Sequence, residues 1–254
     1  MTQDTNISRG LRDVYIDRTE SSFIDGDIGK LLYRGYSIHD LAEKSNFEET
    51  VYLLLYGTLP TQSELQNFDS TLRANRSIPD QVVDIIRITQ DSHPMDVLRT
   101  AVSALSAYDP DVGDNSPEAT LRKGIRLTAQ APTIVTTHAR IKEGKEPVSP
   151  NPNLNHPANF LYMLFGQEPG EDEARLIEKD SVLHAEHGLN ASAFAARVAA
   201  STGTDLHSAV VAGIATLKGP SHGGAAEEVM KFSLDIGDED NAEPYTRNIL
   251  ESGG

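Results

Sequence analysis

Residues 46–65 read NFEETVYLLLYGTLPTQSEL and contain the signals of two consecutive helices. Asn46 is a good N-cap for the first helix, and Gly57 suits its C-terminal stop. Thr61 and Glu64 then form the capping-box pattern that opens a second helix. Apolar residues surround the axis of the first helix on all sides, so we expect that helix to be buried.

Helix signals of the same kind occupy most of the chain outward from this stretch. They predict helices after Ser37, over 61–75, after Pro79 and Pro94, and near 117–144, 157–165, 171–186, 190–202 and 204–217. Pro132 should bend or divide the helix predicted over 117–144. The predicted fold class is therefore all-α, a layered multi-helix bundle.

Two segments do not follow the helical pattern. Residues 22–36 place the apolar runs SFI and LLY on either side of the turn-rich DGDIG, which predicts a small β-hairpin. Residues 145–157, KEPVSPNPNLNHP, are dense in Pro and Asn and predict an irregular connection. No internal repeat of fixed period is present, so the pattern does not indicate a solenoid.

The composition restricts the classes of partner and the compartment. The 254 residues include 38 acidic side chains against 22 Lys and Arg, a formal net charge of -16, which disfavours nucleic acid and anionic membranes as partners. There is no cysteine, and no stretch has the apolar run of a signal peptide or a membrane span. We therefore expect a cytoplasmic protein without a membrane segment. Whether the acidic surface is an adaptation to high salt is left open by the composition.

Two short segments place a histidine beside small residues at helix ends. In LHAEHGLNAS, residues 183–192, Gly188 suits the end of one helix and Asn190 can cap the next, so His187 should lie at a helix-to-helix corner. An imidazole at such a corner suits a hydrogen bond to a carbonyl or carboxylate substrate. By composition alone, the more common reading is a histidine that bonds the carbonyls of the corner itself.

The second segment, LKGPSHGGAAEE, covers residues 217–228. Its His222 precedes a predicted helix whose positive end disfavours the imidazolium, so we predict a neutral ring that donates an N–H to a developing oxyanion or enolate. Gly223 and Gly224 lack Cβ atoms and would let a thioester approach the backbone. Flexible geometry at a helix start is the more common role of such glycines.

Other site chemistries find weaker support in the sequence. His184 and His187 are three residues apart on one predicted helical face, and His207 or His222 could supply a third metal ligand. The HExxH pattern is absent, however, and we expect no metal site. No GxSxG elbow indicates a serine hydrolase, and DGDIGK lacks the spacing of a phosphate-binding loop.

At the two histidine segments, and over essentially the whole chain, the sequence resembles the citrate synthase family. Five motifs follow the family's order. The first is an N-terminal region matched at Gly10–Leu11, Asp13–Val14, Ile24–Gly26, Gly29, Tyr33, Gly35–Tyr36 and Asp40–Ala42. The other four are Tyr52–Leu65, Leu154–Met163, HAEHGLNAS and GP.HGGA.E. Any one of these motifs would be a weak signal, but five in this order are specific.

The resemblance implies a fold and a reaction. The family has a mostly helical large domain that dimerises and a smaller helical domain that closes over it. These domains would correspond here to residues 1–223 and to the start of a second domain at 224–254. The expected reaction, the entry step of the tricarboxylic acid cycle, condenses acetyl-CoA with oxaloacetate and hydrolyses citryl-CoA, without a separate cofactor. In the family, the position of His187 contacts oxaloacetate, and that of His222 polarises the thioester carbonyl and stabilises the enol or enolate.

The sequence departs from the family's pattern near its last residues. A GFGHRVY-like segment, the catalytic aspartate that removes the methyl proton and the substrate-binding arginines should follow, and none is present. We therefore expect residues 1–254 alone to be inactive as a synthase.

Two other readings stay open. One is a 2-methylcitrate synthase that uses propionyl-CoA with the same residues, because one methylene changes discrimination by only about 1–3 kcal/mol. The other is a non-catalytic helical dimerisation or scaffold protein.

Overall fold

The computed structural model describes residues 18–252, which form twelve α-helices and one small β-sheet. The sheet is antiparallel, in the order β1 (Ser22–Asp25), β2 (Lys30–Tyr33) and β3 (Tyr36–Ser37). The helices are α1 (Ile38–Lys44), α2 (Phe47–Tyr56), α3 (Gln62–Ala74), α4 (Asp80–Ile88), α5 (Pro94–Leu105), α6 (Pro117–Lys142), α7 (His156–Phe165), α8 (Glu171–Leu183), α9 (Ala191–Ser201), α10 (Leu206–Leu217), α11 (Gly223–Ile236) and α12 (Ala242–Ser252). The all-α prediction is confirmed, whereas the family-like motifs at Gly10–Leu11 and Asp13–Val14 lie outside the described residues.

The capping signals between residues 46 and 65 correctly predict both ends of α2 and the start of α3. Asn46 Oδ1 accepts a hydrogen bond from the Glu49 N–H at 2.8 Å, and Glu49 Oε2 accepts one from the Asn46 N–H at 3.3 Å. Gly57 ends α2 with a φ of 87°, a left-handed conformation that glycine adopts without a steric penalty. Thr61 and Glu64 form the second capping box.

The predicted burial of α2 holds only for part of the helix. Val51 and Tyr52 are buried in a cluster with Phe68 of α3, whereas Leu55 and Tyr56 in the last turn are exposed. Apolar residues on all sides of a short helix therefore do not require complete burial, because a few exposed apolar side chains are normal on a protein surface.

The hairpin predicted over residues 22–36 is present and gains a third strand. Ser22 pairs with Tyr33 and Asp25 pairs with Lys30, so the turn lies within DGDIG as predicted. The two-residue strand β3, which was not predicted, extends the sheet directly into α1. The side chain of Tyr33 is completely buried and packs with Val182 at the end of α8.

Helix α6 continues through Pro132, so of the two predicted effects, a bend or a division, the division does not occur. Proline removes one backbone hydrogen bond and costs roughly 3 kcal/mol inside a helix. Leu127 before the proline and Ile134 after it are both buried in the same core cluster, so packing stabilises the helix on both sides of Pro132. At 26 residues α6 is the longest helix, but neither α6 nor any other helix within 18–252 is both long and apolar enough to cross a membrane.

The largest core cluster lies among α4, α5 and α6 and supports α10. Its buried members are Val82, Ile86, Val97, Ala101, Val102, Leu105, Leu127, Ile134 and Ile141. Leu206, Val210 and Ile214 of α10 pack against this cluster. Because α10 is fixed on the core in this way, the turn that follows its last residue, Leu217, has a defined position.

Candidate active site

The close packing of α9 on α10 brings the two predicted histidine segments together. A Cβ atom on Gly213 of α10 would lie 3.3 Å from the Ser192 carbonyl oxygen and 3.4 Å from the Ala196 Cβ, so glycine allows the helices this approach. The turn after α10 contains His222, and the corner before α9 contains His187. Both segments therefore meet at the N-terminal end of α9.

His222 lies at the N-cap position of α11, which confirms the prediction that it precedes a new helix. Its Nε2 atom lies 2.9 Å from the hydroxyl oxygen of Ser192 in the first turn of α9. The Ser192 hydroxyl is also 2.8 Å from Asn190 Oδ1, which accepts the capping hydrogen bond of α9 from the Ala193 N–H at 2.9 Å. The ring is thus linked through a hydroxyl to the residue that starts the neighbouring helix.

This chain of hydrogen bonds determines which nitrogen of His222 can face a ligand. Asn190 Oδ1 can only accept, so the Ser192 hydroxyl donates to Asn190 and accepts from His222 Nε2–H. In the neutral ring Nδ1 then carries a lone pair and cannot donate. A neutral His222 that donates an N–H to a ligand, as the sequence predicts, must do so from Nδ1 after the Ser192 hydroxyl has reversed its direction.

The turn before His222 is also held against α5. Lys218 Nζ lies 2.6 Å from Asp96 Oδ2, and the His93 Nε2 atom at the start of α5 lies 3.3 Å from Glu227 Oε2 of α11. These contacts tie the chain on both sides of His222 to one helix end. The imidazole therefore has a fixed backbone as well as a fixed hydrogen-bond partner.

The structure gives Gly223 and Gly224 an internal packing role. A Cβ on Gly223 would lie 2.5 Å from the Leu217 carbonyl oxygen, and a Cβ on Gly224 would lie 3.1 Å from the Gly219 carbonyl oxygen. The tight reversal of the chain between α10 and α11 thus requires small residues at these positions. The predicted approach of a thioester to these glycines stays a prediction.

His187 lies at a corner, as predicted, but α8 ends earlier than the sequence indicates. The predicted helix runs to residue 186, whereas α8 stops at Leu183 with His184 as its C-cap. Gly188 lies in the following turn with a φ of 67° instead of ending the helix. His184 and His187 are both beyond α8, so the prediction that they share one helical face is wrong.

Hydrogen bonds from the N-terminal hairpin explain the early end of α8. The buried Tyr33 hydroxyl donates to the Leu183 carbonyl oxygen at 3.0 Å and accepts from the Glu186 N–H at 3.2 Å. In a continued helix, the Leu183 carbonyl would accept from the His187 N–H, and the Glu186 N–H would donate to the Val182 carbonyl. Tyr33 replaces both partners, and burial raises the pKa of its hydroxyl, which keeps it a donor.

The other histidine considered as a metal ligand has a different environment. His207 is buried on α10, with Nε2 3.6 Å from Asp109 Oδ2 and Nδ1 3.7 Å from Asp205 Oδ1. Burial lowers the pKa of His207, which opposes the attraction of the two carboxylates. No group of three His, Asp or Glu side chains in the described part of the chain is arranged to hold a metal ion.

Sequence reasoning did not identify Ser192 and Glu186 as site residues. The sequence presents Ser192 only as the last residue of the motif HAEHGLNAS, although it lies two residues after the predicted cap Asn190, where a hydroxyl can reach a neighbouring segment. Glu186 accepts hydrogen bonds from the Ser22 hydroxyl at 2.8 Å and from the Gly188 N–H at 2.7 Å. The one sequence feature that bears on the hydrogen bond between Glu186 and Gly188 is their spacing, an acidic residue two positions before a glycine.

The layered helical architecture matches solved citrate synthases. The citrate synthase of Thermoplasma acidophilum, solved as a ternary complex with carboxymethyl coenzyme A and oxaloacetate, has a TM-score of 0.89 and 32% sequence identity. That comparison covers 97% of this chain and 65% of the Thermoplasma chain. These values define the fold class as that of citrate synthases.

The chain belongs to the citrate synthase family. The family described as "Citrate synthase, C-terminal domain" matches residues 10–254. The citrate synthase of Haloferax volcanii is 46% identical, over 97% of this chain and 67% of its own length. The 2-methylcitrate synthase 1 of Corynebacterium glutamicum is 40% identical, over 98% of this chain and 67% of its own length. The chain thus spans about two thirds of the length of the curated relatives it matches.

Proposed function

We propose that this chain provides the oxaloacetate contact and the thioester-polarising group of a citrate synthase. The reaction joins the methyl carbon of acetyl-CoA to the carbonyl carbon of oxaloacetate and then hydrolyses citryl-CoA, as the entry step of the tricarboxylic acid cycle. Membership of the citrate synthase family supports this assignment. The observation that carries it is the 2.9 Å contact between His222 Nε2 and the Ser192 hydroxyl, which joins the two histidine segments at the start of α9.

The two histidines have different environments, and the difference suits the proposed roles. His187 is exposed and has no hydrogen-bond partner among residues 18–252, so its ring is free to bind a ligand such as oxaloacetate. Nε2 of His222 is bonded to the Ser192 hydroxyl, so Nδ1 is the ring nitrogen left for a ligand. A ring held in this way is suited to polarise a carbonyl once the Ser192 hydroxyl has reversed and Nδ1 carries the proton, because the ring itself then needs no further movement as negative charge develops.

A proton must leave the methyl group of acetyl-CoA before carbon–carbon bond formation. In the proposed reaction a carboxylate accepts this proton, and no motif in this sequence assigns that carboxylate. His222 stabilises the enol or enolate oxygen that results, and the enol carbon attacks the oxaloacetate carbonyl while His187 holds the substrate. This division of roles makes the two histidines separately testable.

Ligand titration followed on the histidine ring signals tests the proposal. Oxaloacetate should shift the His187 ring signals in a nuclear magnetic resonance spectrum of the 27.6 kDa chain, and acetyl-CoA should then shift those of His222. His39, exposed on α1, provides an internal reference. Substitutions His187→Gln and His222→Gln assign the signals. If neither ligand moves either signal at millimolar concentration, the proposed function is wrong.

A 2-methylcitrate synthase is the second candidate, favoured by the 40% identity with the Corynebacterium glutamicum enzyme of that name. It would use propionyl-CoA, which carries one more methylene, with the same histidines. A comparison of the His222 signal in titrations with acetyl-CoA and propionyl-CoA decides between the two. Tighter binding of propionyl-CoA would replace the first proposal with the second.

The assembly, compartment and domain division also belong to the proposal. We expect a homodimer in the cytoplasm, and membership of the family supports both expectations. Residues 1–223 would form the large domain and residues 224–254 the start of a smaller one, with the change of domain just after His222. Sedimentation equilibrium tests the dimer directly, and a monomer at tens of micromolar would contradict it.

A further inference from the structure

The carboxylate of Glu186 joins the histidine corner to the N-terminal hairpin. A single oxygen, Oε1, accepts hydrogen bonds from the Ser22 hydroxyl of β1 at 2.8 Å and from the Gly188 N–H at 2.7 Å. Hydrogen bonds to an ionised acceptor are stronger than those between neutral groups. Glu186 and Gly188 are the two neighbours of His187, so this carboxylate fixes the backbone on both sides of the histidine.

The backbone of Glu186 is held from the same direction. Its N–H donates to the Tyr33 hydroxyl at 3.2 Å, and that hydroxyl donates to the Leu183 carbonyl at 3.0 Å. Tyr33 itself is completely buried. Side chain and backbone of Glu186 are thus both bound to the first two strands of the sheet.

Gly188 completes the contact between the corner and the hairpin. Its φ of 67° is in the left-handed region, and a Cβ atom there would lie 3.2 Å from Ile24 Cδ1. The hairpin therefore packs directly on the turn as well as bonding to it. A larger residue at 188 would be strained in conformation and would press on β1.

Glu186 and Gly188 both form hydrogen bonds with other residues, whereas the ring of His187 has no hydrogen-bond partner among the residues the structure describes. Within residues 18–252 no hydrogen bond sets the direction of the imidazole, so the position of its backbone matters more than it does for a bonded ring. We propose that Glu186 is a positioning residue for His187, acting through the Ser22 and Gly188 hydrogen bonds to aim the ring at oxaloacetate. This inference rests on the proposed function for the role of the ring, although its geometric part can be tested without any ligand.

The test compares Glu186→Ala with Glu186→Gln in the full chain. Alanine removes the acceptor, whereas the glutamine amide oxygen can accept the same two hydrogen bonds. We expect Glu186→Ala to accelerate hydrogen exchange of the Gly188 amide by about tenfold, as expected for the loss of one hydrogen bond, and to shift and broaden the His187 ring signals. Glu186→Gln should retain most of the protection and a ring signal close to that of the wild type.

Two controls separate positioning from general loss of structure. Glu171→Ala removes an exposed acid from the first turn of α8 and should change neither readout. The ring of His184, bonded to the Asp180 carbonyl within its own helix end, should keep its signals in every variant. A fall in melting temperature with an unmoved His187 signal would show a purely structural role and overturn the proposal.

The ligand arm distinguishes this inference from the proposed function. Oxaloacetate should bind Glu186→Ala at least about tenfold more weakly than it binds the wild type, and Glu186→Gln should recover most of that loss. If the wild-type His187 signal does not respond to oxaloacetate, the proposed function fails and so does the oxaloacetate role of Glu186. If the wild type responds and Glu186→Ala binds oxaloacetate equally well, only the positioning role fails.

Discussion

The hydroxyl oxygen of Ser192 lies 2.9 Å from Nε2 of His222, thirty residues further along the chain. The same hydroxyl is 2.8 Å from Asn190 Oδ1, the acceptor that caps α9. The orientation of the imidazole and the start of a helix therefore depend on one small side chain. A change at Ser192 should affect the ring more than it affects the fold.

We expect Ser192→Ala to release the His222 ring while costing only about 1 kcal/mol of the free energy of unfolding, the usual net value of one hydrogen bond. The Nε2 atom loses its acceptor, so both tautomers of the neutral ring become accessible. The ¹⁵N chemical shifts of the ring should move toward an averaged value. Ser201→Ala removes a hydroxyl from the other end of α9, where it donates to the Val198 carbonyl of the same helix, and should leave these shifts unchanged. Unaltered His222 shifts in Ser192→Ala would contradict the prediction.

Gly223→Ala should destabilise the turn that holds His222. Its Cβ would lie 2.5 Å from the Leu217 carbonyl oxygen, a backbone atom that cannot move without shifting the end of α10. Overpacking of this kind costs about 1–3 kcal/mol. Chemical denaturation measures this loss, and Gly113→Ala, where nothing lies within 4 Å of the new Cβ, is the matched control. Equal stability of the two variants would show that the chain reversal relaxes freely.

Which features can be predicted from the sequence depends on how far apart in the chain the interacting residues lie. The caps Asn46 and Thr61 bond to residues three positions away, so short patterns predict them. The end of α8 depends on Tyr33, 150 residues before Leu183 in the chain, and no local pattern contains that information. Helix-compatible residues continue past Leu183, so a prediction from the sequence alone extends the helix too far.

The candidate site shows the same division. The motif positions and the helix start at His222 could be predicted, because histidine, glycine and capping residues are adjacent in the sequence. The contact with Ser192 requires that α9 and α10 pack closely, which depends on Gly213 and could not be derived from periodicity. The support of His187 by Ser22 requires the hairpin to fold onto the corner, a contact that spans most of the chain.

Protonation of His156 should make the protein less stable in mild acid. This side chain is buried at the start of α7 and stacked on Phe47 at 4.9 Å, and burial, with a smaller contribution from Arg76, lowers its pKa from 6.5 to about 4. The unfolded chain therefore binds a proton between these values and the folded chain does not. The stability that the neutral His156 contributes to the folded protein is fully present above pH 6.5. It is lost as the pH falls toward 4, and the free energy of unfolding then decreases by about 3 kcal/mol in total.

The substitution His156→Gln isolates this contribution, because the variant has no group that titrates at that position. We expect the stability difference between wild type and variant, measured by urea denaturation, to change with pH between 6.5 and 4 and to be constant from pH 7 to 8. The wild type should lose the advantage as the pH falls. Burial raises the pKa of the neighbouring Glu48, which acts in the opposite direction in both proteins and cancels in the comparison. A difference that does not depend on pH would show that His156 takes up a proton in the folded state as readily as in the unfolded one.

Asp109 forms the most buried ion pair associated with α6, and its removal should be costly. Its side chain is 4% exposed, and its two oxygens accept hydrogen bonds from Arg126 at 2.6 and 2.9 Å. Asp109→Ala leaves a guanidinium in a partly desolvated site, a change that costs about 3–5 kcal/mol when no other partner exists. Asp111 still accepts from Arg126 at 2.7 Å, so we expect the lower end, about 3 kcal/mol. The exposed pair Asp40–Lys44 is the control, since Asp40→Ala should leave the denaturation midpoint unchanged. An equally small effect of Asp109→Ala would show that Asp111 alone satisfies Arg126.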